Sequence, residues 1–215
     1  MKRVMIAVVA ATFLLTAALS DADAQKSKKG AGPMYTPSAV ALKMDMRKLW
    51  EDHISWTSTY ILASVAGLDD AGKIAERLLK NQEDIGNAIK PIYGDAAGSK
   101  LTGLLKDHIL IAAELVGAAK AGDNNKAAAA EKKWYANADE IAAFLSGANP
   151  NWPQKTLESL LYAHLALTKN EAVARIKKDT AAYVDARDKG HAHILMMSDA
   201  LSDGIIKQFP KKFMK

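Results

Sequence analysis

A chain of 215 residues with 29 Lys and Arg against 24 Asp and Glu has a net charge of +5, an excess too mild and dispersed for a nucleic-acid footprint. It has no cysteine, which excludes a disulfide framework, thiolate metal sites, thiol nucleophiles and c-type haem attachment. Stability must come from packing, and the length suits one domain with a continuous core.

Lys2 and Arg3 precede an apolar run from Val4 to Leu19, and Ala22-Asp23-Ala24 puts small residues where a signal peptidase reads them. Residues 1–24 are expected to be a signal peptide, with no transmembrane anchor left after cleavage and the mature chain periplasmic or extracellular. Residues 25–37, QKSKKGAGPMYTP, lack apolar periodicity and read as a flexible leader to a single domain over 38–215.

From Leu42 the apolar face runs through Met46, Leu49, His53, Trp56, Tyr60 and Ala63 in alternating steps of four and three, one side of an α-helix. Gly67 fits its C-cap, and Asp69 or Asp70 the next N-cap. A second helix carries Ile74, Leu78, Asn81, Ile85 and Ile89 and stops around Pro91 to Gly94. A third, from about Ala96 to Ala121, carries Leu101, Leu104, Leu105, His108, Ile111, Ala112 and Leu115. Gly122, Asp123 and Asn124 repeat the turn chemistry, and the fourth helix carries Trp134, Asn137, Ile141, Phe144 and Leu145 before the break SGANPNWP. Pro153 opens a fifth helix with Leu157, Leu160, Leu161, His164 and Leu167 on one face. After a weakly signalled turn near Lys178 to Thr180, a sixth carries His193, Met197, Leu201 and Ile205. Period-two alternation is absent. The expected class is all-α, a bundle of about six helices arranged as three repeated antiparallel hairpins, about 38–92, 95–148 and 153–209.

His53, His108 and His164 recur at separations of 55 and 56 residues, each central on its helix. In an antiparallel hairpin, residues equally far from the turn share a height, which pairs His53 with Asn81, His108 with Asn137 and His164 with His193. These pairs are expected to form one polar layer roughly 20 Å from the turns. Its four histidines are candidate ligands for zinc, copper or iron, with Asn81 and Asn137 in the same layer and Asp52, Asp107, Asp84 and Glu140 as carboxylates able to orient an imidazole. His191, beside Met196 and Met197, adds a weaker copper signal. Glu171, two turns beyond His164, either ends the apolar stripe or adds a carboxylate to the layer. The competing reading is that the layer only fixes helix register, every group being satisfied by another. Trp50, Trp56, Trp134 and Trp152 read as core in preference to a pocket for a planar or sugar-like ligand.

No P-loop, GxGxxG, GxSxG, HExxH or pair of ExxH helices occurs. The segments DHISWT, NQEDIGNAIKPIYG, LLKDHILIAAELVGAAKAGD and WYANADEIAAFLSGANP, spread over residues 50 to 150, resemble a group of small exported bacterial proteins without an established function. Some of these carry the label glycosyltransferase. The resemblance implies no catalytic residues, and this chain has neither the α/β fold nor the acidic metal-binding motif of a nucleotide-sugar transferase. The expected function is binding of a metal ion or small ligand in the histidine and asparagine layer of an exported helical protein. The alternative is a non-enzymatic structural or interaction protein that contacts an acidic envelope surface or protein, and the third is a metal-dependent enzyme.

Overall fold

The computed structural model describes residues 35–214, and these form six α-helices, a terminal 3-10 turn and no strand. The helices are α1 (Pro37–Ala66), α2 (Ala71–Tyr93), α3 (Asp95–Lys120), α4 (Asn124–Ala148), α5 (Gln154–Ile176) and α6 (Thr180–Gln208); Pro210–Phe213 forms the 3-10 turn. The expected signal peptide and residues 25–34 of the expected leader lie outside the described residues. The leader's last residues do not behave as one, because Tyr35 donates its hydroxyl to Asp203 (3.2 Å) and Thr36 to the Phe213 carbonyl (2.6 Å). None of the described helices is long and apolar enough to cross a membrane.

Cap chemistry sets the helix ends. Thr36 accepts from Ala39 N ahead of Pro37, whose missing N–H costs nothing at a first turn. Three helices then end alike, with a left-handed residue and a backbone bond reaching back five residues: Gly67 (φ 74) with Leu68 N to Ala63 O, Gly122 (φ 73) with Asp123 N to Ala118 O, and Lys178 (φ 61) with Asp179 N to Ala174 O. Asp123 and Asp179 accept from Lys126 N and Ala182 N, capping the helices that follow. At the other end of the bundle α2 continues through Pro91 to Tyr93, and Gly94 turns the chain into α3.

Every helix packs on its neighbours in sequence, and α6 closes onto α1. The odd-numbered helices α1, α3 and α5 also touch one another across the interior, which makes them the inner helices. Glycines permit close approach at two places. A Cβ at Gly86 would lie 2.6 Å from Gly98 O where α2 meets α3, and a Cβ at Gly204 would lie 1.9 Å from Trp152 Nε1. Trp152 therefore seats its indole against α6. Around it, Tyr93 donates to Gln208 (2.7 Å) and Asn149 to Tyr93 (2.9 Å), closing this end of the bundle.

Candidate functional site

The three inner helices bring their central histidines together. His53 (α1), His108 (α3) and His164 (α5) are 2, 3 and 3% exposed. The His164 ring lies 5.6 Å from that of His53 and stacks at 6.2 Å on that of His108. Two turns before them sit Met46, Leu101 and Leu157; two turns after them sit Ile61, Val116 and Ala172, all buried. Apolar layers on both sides deny the imidazoles water, and a protonated ring there has no compensating solvent. Burial, followed by the charge of His108, lowers His53 to about 3. Burial lowers His108 to about 4 and holds His164 well below the ordinary histidine value. All three are neutral at neutral pH.

Hydrogen bonds fix the layer further. Asn137 donates to Leu104 O (3.1 Å), so its oxygen faces His108 Nδ1 at 2.7 Å and that nitrogen is the donor. Trp134 donates its indole N–H to His108 Nε2 (3.0 Å), which occupies the remaining lone pair. His53 accepts from Gln82 (3.3 Å), whose amide also serves Leu78 O and the Asn81 oxygen. Asn81 donates to Leu49 O (3.0 Å) and His193 Nε2 to Leu160 O (2.8 Å). Leu49, Leu104 and Leu160 each precede a layer histidine by four residues, so one clasp from the following helix to the histidine's own helix occurs three times.

This arrangement revises several expected partners. His193 clasps Leu160 and makes no hydrogen bond to His164, whose Nδ1 is buried without a partner. The four carboxylates do not orient imidazoles. Asp52 pairs with Lys48 (2.8 Å), and Asp84 lies 3.6 Å from Lys80. Asp107 and Glu140 line a shallow outer depression beside Lys133. Neighbouring residues on a helix diverge by about 100°, which turns a residue next to a core histidine outward. His191 pairs with Glu51 on the α1–α6 surface, away from the layer; Met196 is exposed and Met197 belongs to the core. Glu171 is buried with one oxygen unpartnered, and burial raises its carboxyl against the opposing pull of Ser58 and Arg187. Among the described residues no three His, Asp or Glu side chains gather as a metal site would require.

Sequence reasoning missed Gln82 and the indole bond. Trp134 stands one turn before Asn137 on the same stripe, and that spacing was the available signal.

The layer lies between two spaces. Towards the Trp152 end lies an apolar cavity of about 40 Å³, too small for an organic ligand. Towards the turns of Gly67, Gly122 and Lys178 lies a pocket of about 410 Å³ between α1, α3, α4 and α5. Ile61, Ile109, Leu115, Val116 and Val173 line it, and Trp134 forms its inner wall. The Glu131–Lys169 ion pair (2.6 Å) stands on its side. Thr57 and Thr168, one turn after His53 and His164, bring it to the edge of the layer; the Thr168 hydroxyl is buried and unpartnered. A mostly apolar space of this size with a few polar groups is what a small-molecule site requires.

No protein-family model, curated protein or solved structure matches this chain.

Proposed function

We propose that the protein binds a small organic molecule in the pocket at the turn end of the bundle, against the histidine layer. The observation that supports this is the double role of Trp134: it walls the pocket and donates to His108. A molecule against the indole is one hydrogen bond from the layer. His164 Nδ1 and the Thr168 hydroxyl, a turn apart on α5 and both unpartnered, add polar capacity at the same edge. Titration with an apolar fluorophore that reports on tryptophan tests the reading. Saturable binding of one equivalent, lost in Trp134→Ala and kept in Trp152→Phe, supports it; equal binding to both variants refutes it.

Zinc, copper or iron at these histidines is the ionic form of the proposal. It requires His108 to give up Asn137 or Trp134, so we rank it behind the organic ligand. Metal analysis of untagged protein after exposure to each ion separates the two. The second reading is a layer that only fixes helix register, and the clasps to Leu49, Leu104 and Leu160 favour it. The same clasps support our view of the bundle as three repeated antiparallel hairpins. We take the protein to be an exported member of the group it resembles, cleaved after Ala24, with its net charge of +5 suited to an acidic envelope surface or protein.

A further inference from the structure

We infer that the occupant of the turn-end pocket is a single-chain amphiphile with an anionic headgroup, an inference that rests on the small-molecule reading above. The pocket is long and apolar. From Asn124 near its mouth to Trp134 at its inner wall, α4 spans about 15 Å, the reach of an extended medium-length acyl chain. Alanines at 112, 127 and 128 keep its sides thin, so a narrow flexible chain fits better than a rigid ring system.

The headgroup follows from the charges beside the mouth. A second pocket, of about 410 Å³, shares Ile176 with the first and is lined by Lys120, Arg175 and Lys178, with no carboxylate among its lining residues. Lys177, next along the chain, lines the apolar pocket itself. None of these four cations forms a salt bridge with a carboxylate among the described residues. Lys120 donates to Ser64 O (2.7 Å), and Arg175 stands over the Tyr183 ring at 5.9 Å. Asp123 and Asp179 at this end each give one oxygen to a capping N–H, the other Asp123 oxygen lies 3.5 Å from Lys126 Nζ, and none of Asp69, Asp70, Asp123 and Asp179 lines either pocket. A C-terminal helix dipole favours each cation singly. Three in one depression adjoining an apolar pocket complement a carboxylate or phosphate at the end of a chain.

Displacement of a bound fluorophore, below micelle concentrations, should rank laurate about tenfold tighter than dodecanol at low salt. Removing two methylenes from the acid should weaken it by about tenfold. Added salt should narrow the gap between acid and alcohol. The variant Lys120→Gln/Arg175→Gln/Lys178→Gln, with two exposed positions and one half-buried, should bind both alike while keeping the affinity for dodecanol. Equal affinity of laurate and dodecanol in the unmodified protein overturns the anionic headgroup and leaves the pocket reading intact. Failure of both to bind overturns the pocket reading and this inference with it.

Discussion

Trp134 donates its indole N–H to His108 Nε2 at 3.0 Å, and Asn137 accepts from Nδ1 of the same ring at 2.7 Å, so one tautomer of His108 is held from both sides. Trp134→Phe keeps most of the ring and removes the donor, leaving a buried acceptor bare. The expected cost is about 1–3 kcal/mol, read from urea denaturation. Nitrogen chemical shifts of His108 should still report a proton on Nδ1. Unchanged stability would show that the indole bond contributes nothing to the fold, and a proton moved to Nε2 would show that Asn137 alone does not hold the tautomer.

Acid should weaken the fold earlier than ordinary carboxylate titration would. An unfolded histidine titrates near 6.5, whereas burial lowers His53 to about 3 and His108 to about 4, with His164 also well below. Between those values the unfolded chain binds more protons, so stability rises with pH. The layer's contribution is complete above about 6.5 and is lost as pH falls towards 4 and then 3. Each histidine adds at most about 1.4 kcal/mol per pH unit. Glu171, raised by burial, runs the other way: its contribution is present below the ordinary glutamate value and lost as pH rises through its folded one. One group opposes three. Urea midpoints should fall from about pH 7 to about pH 5, and less steeply in His108→Gln; a flat profile would contradict the neutral layer.

The parts legible from sequence were those set by period and spacing. Steps of four and three put His53, His108 and His164 on inner faces, and the structure brings those rings together. Hydrogen-bond partners were less legible, since a side chain at the right height chooses among acceptors a turn apart. Asn81 donates to Leu49 O and stands beside His53, where Gln82 joins it as a partner the spacing did not mark; His193 reaches Leu160 O and leaves His164 Nδ1 bare. The turn at Lys178 was weakly signalled because a lysine holds the left-handed position that glycine marks at Gly67 and Gly122. The pocket left no pattern at all. It is made by the smallness of residues such as Ala112, Ala127 and Ala128, which read as ordinary helix formers.

That lysine makes a prediction of opposite signs. Lys178 sits at φ 61, a region that disfavours any residue with a Cβ, and Gly122 sits at φ 73 in the matching turn. Gly122→Ala should cost about 1 kcal/mol, while Lys178→Gly should be neutral or stabilising by a few tenths after the entropy of the unfolded glycine is counted. Thermal denaturation of both variants checks this; loss of stability in Lys178→Gly would mean that its side chain contributes more than the strain costs.

Trp152 depends on a missing side chain across from it. A Cβ at Gly204 would stand 1.9 Å from its Nε1 and 2.5 Å from its Cδ1, so Gly204→Ala must displace the indole, at about 1–3 kcal/mol. Gly103, exposed on α3, has nothing within 4 Å of its would-be Cβ, and Gly103→Ala should stabilise by up to about 1 kcal/mol through helix propensity. Near-ultraviolet circular dichroism should change for the first variant and not for the second. Equal effects would remove the packing argument.

His193 tests whether the three clasps are equivalent. In the first two, an asparagine amide donates to the carbonyl four residues before a layer histidine, Asn81 to Leu49 O and Asn137 to Leu104 O. In the third an imidazole does so, at 2.8 Å to Leu160 O. If the clasp is the function of the position, His193→Asn should preserve it and cost under about 0.5 kcal/mol. His193→Ala should cost about 0.5–1.5 kcal/mol, the net value of one hydrogen bond. If the imidazole serves some other purpose, such as holding an ion with His164, the asparagine variant should fold as well as the parent and bind zinc or copper less. Calorimetry with the metal ions alone, beside urea denaturation of both variants, separates these outcomes. An asparagine variant as unstable as the alanine one would show that the third clasp is not built like the other two.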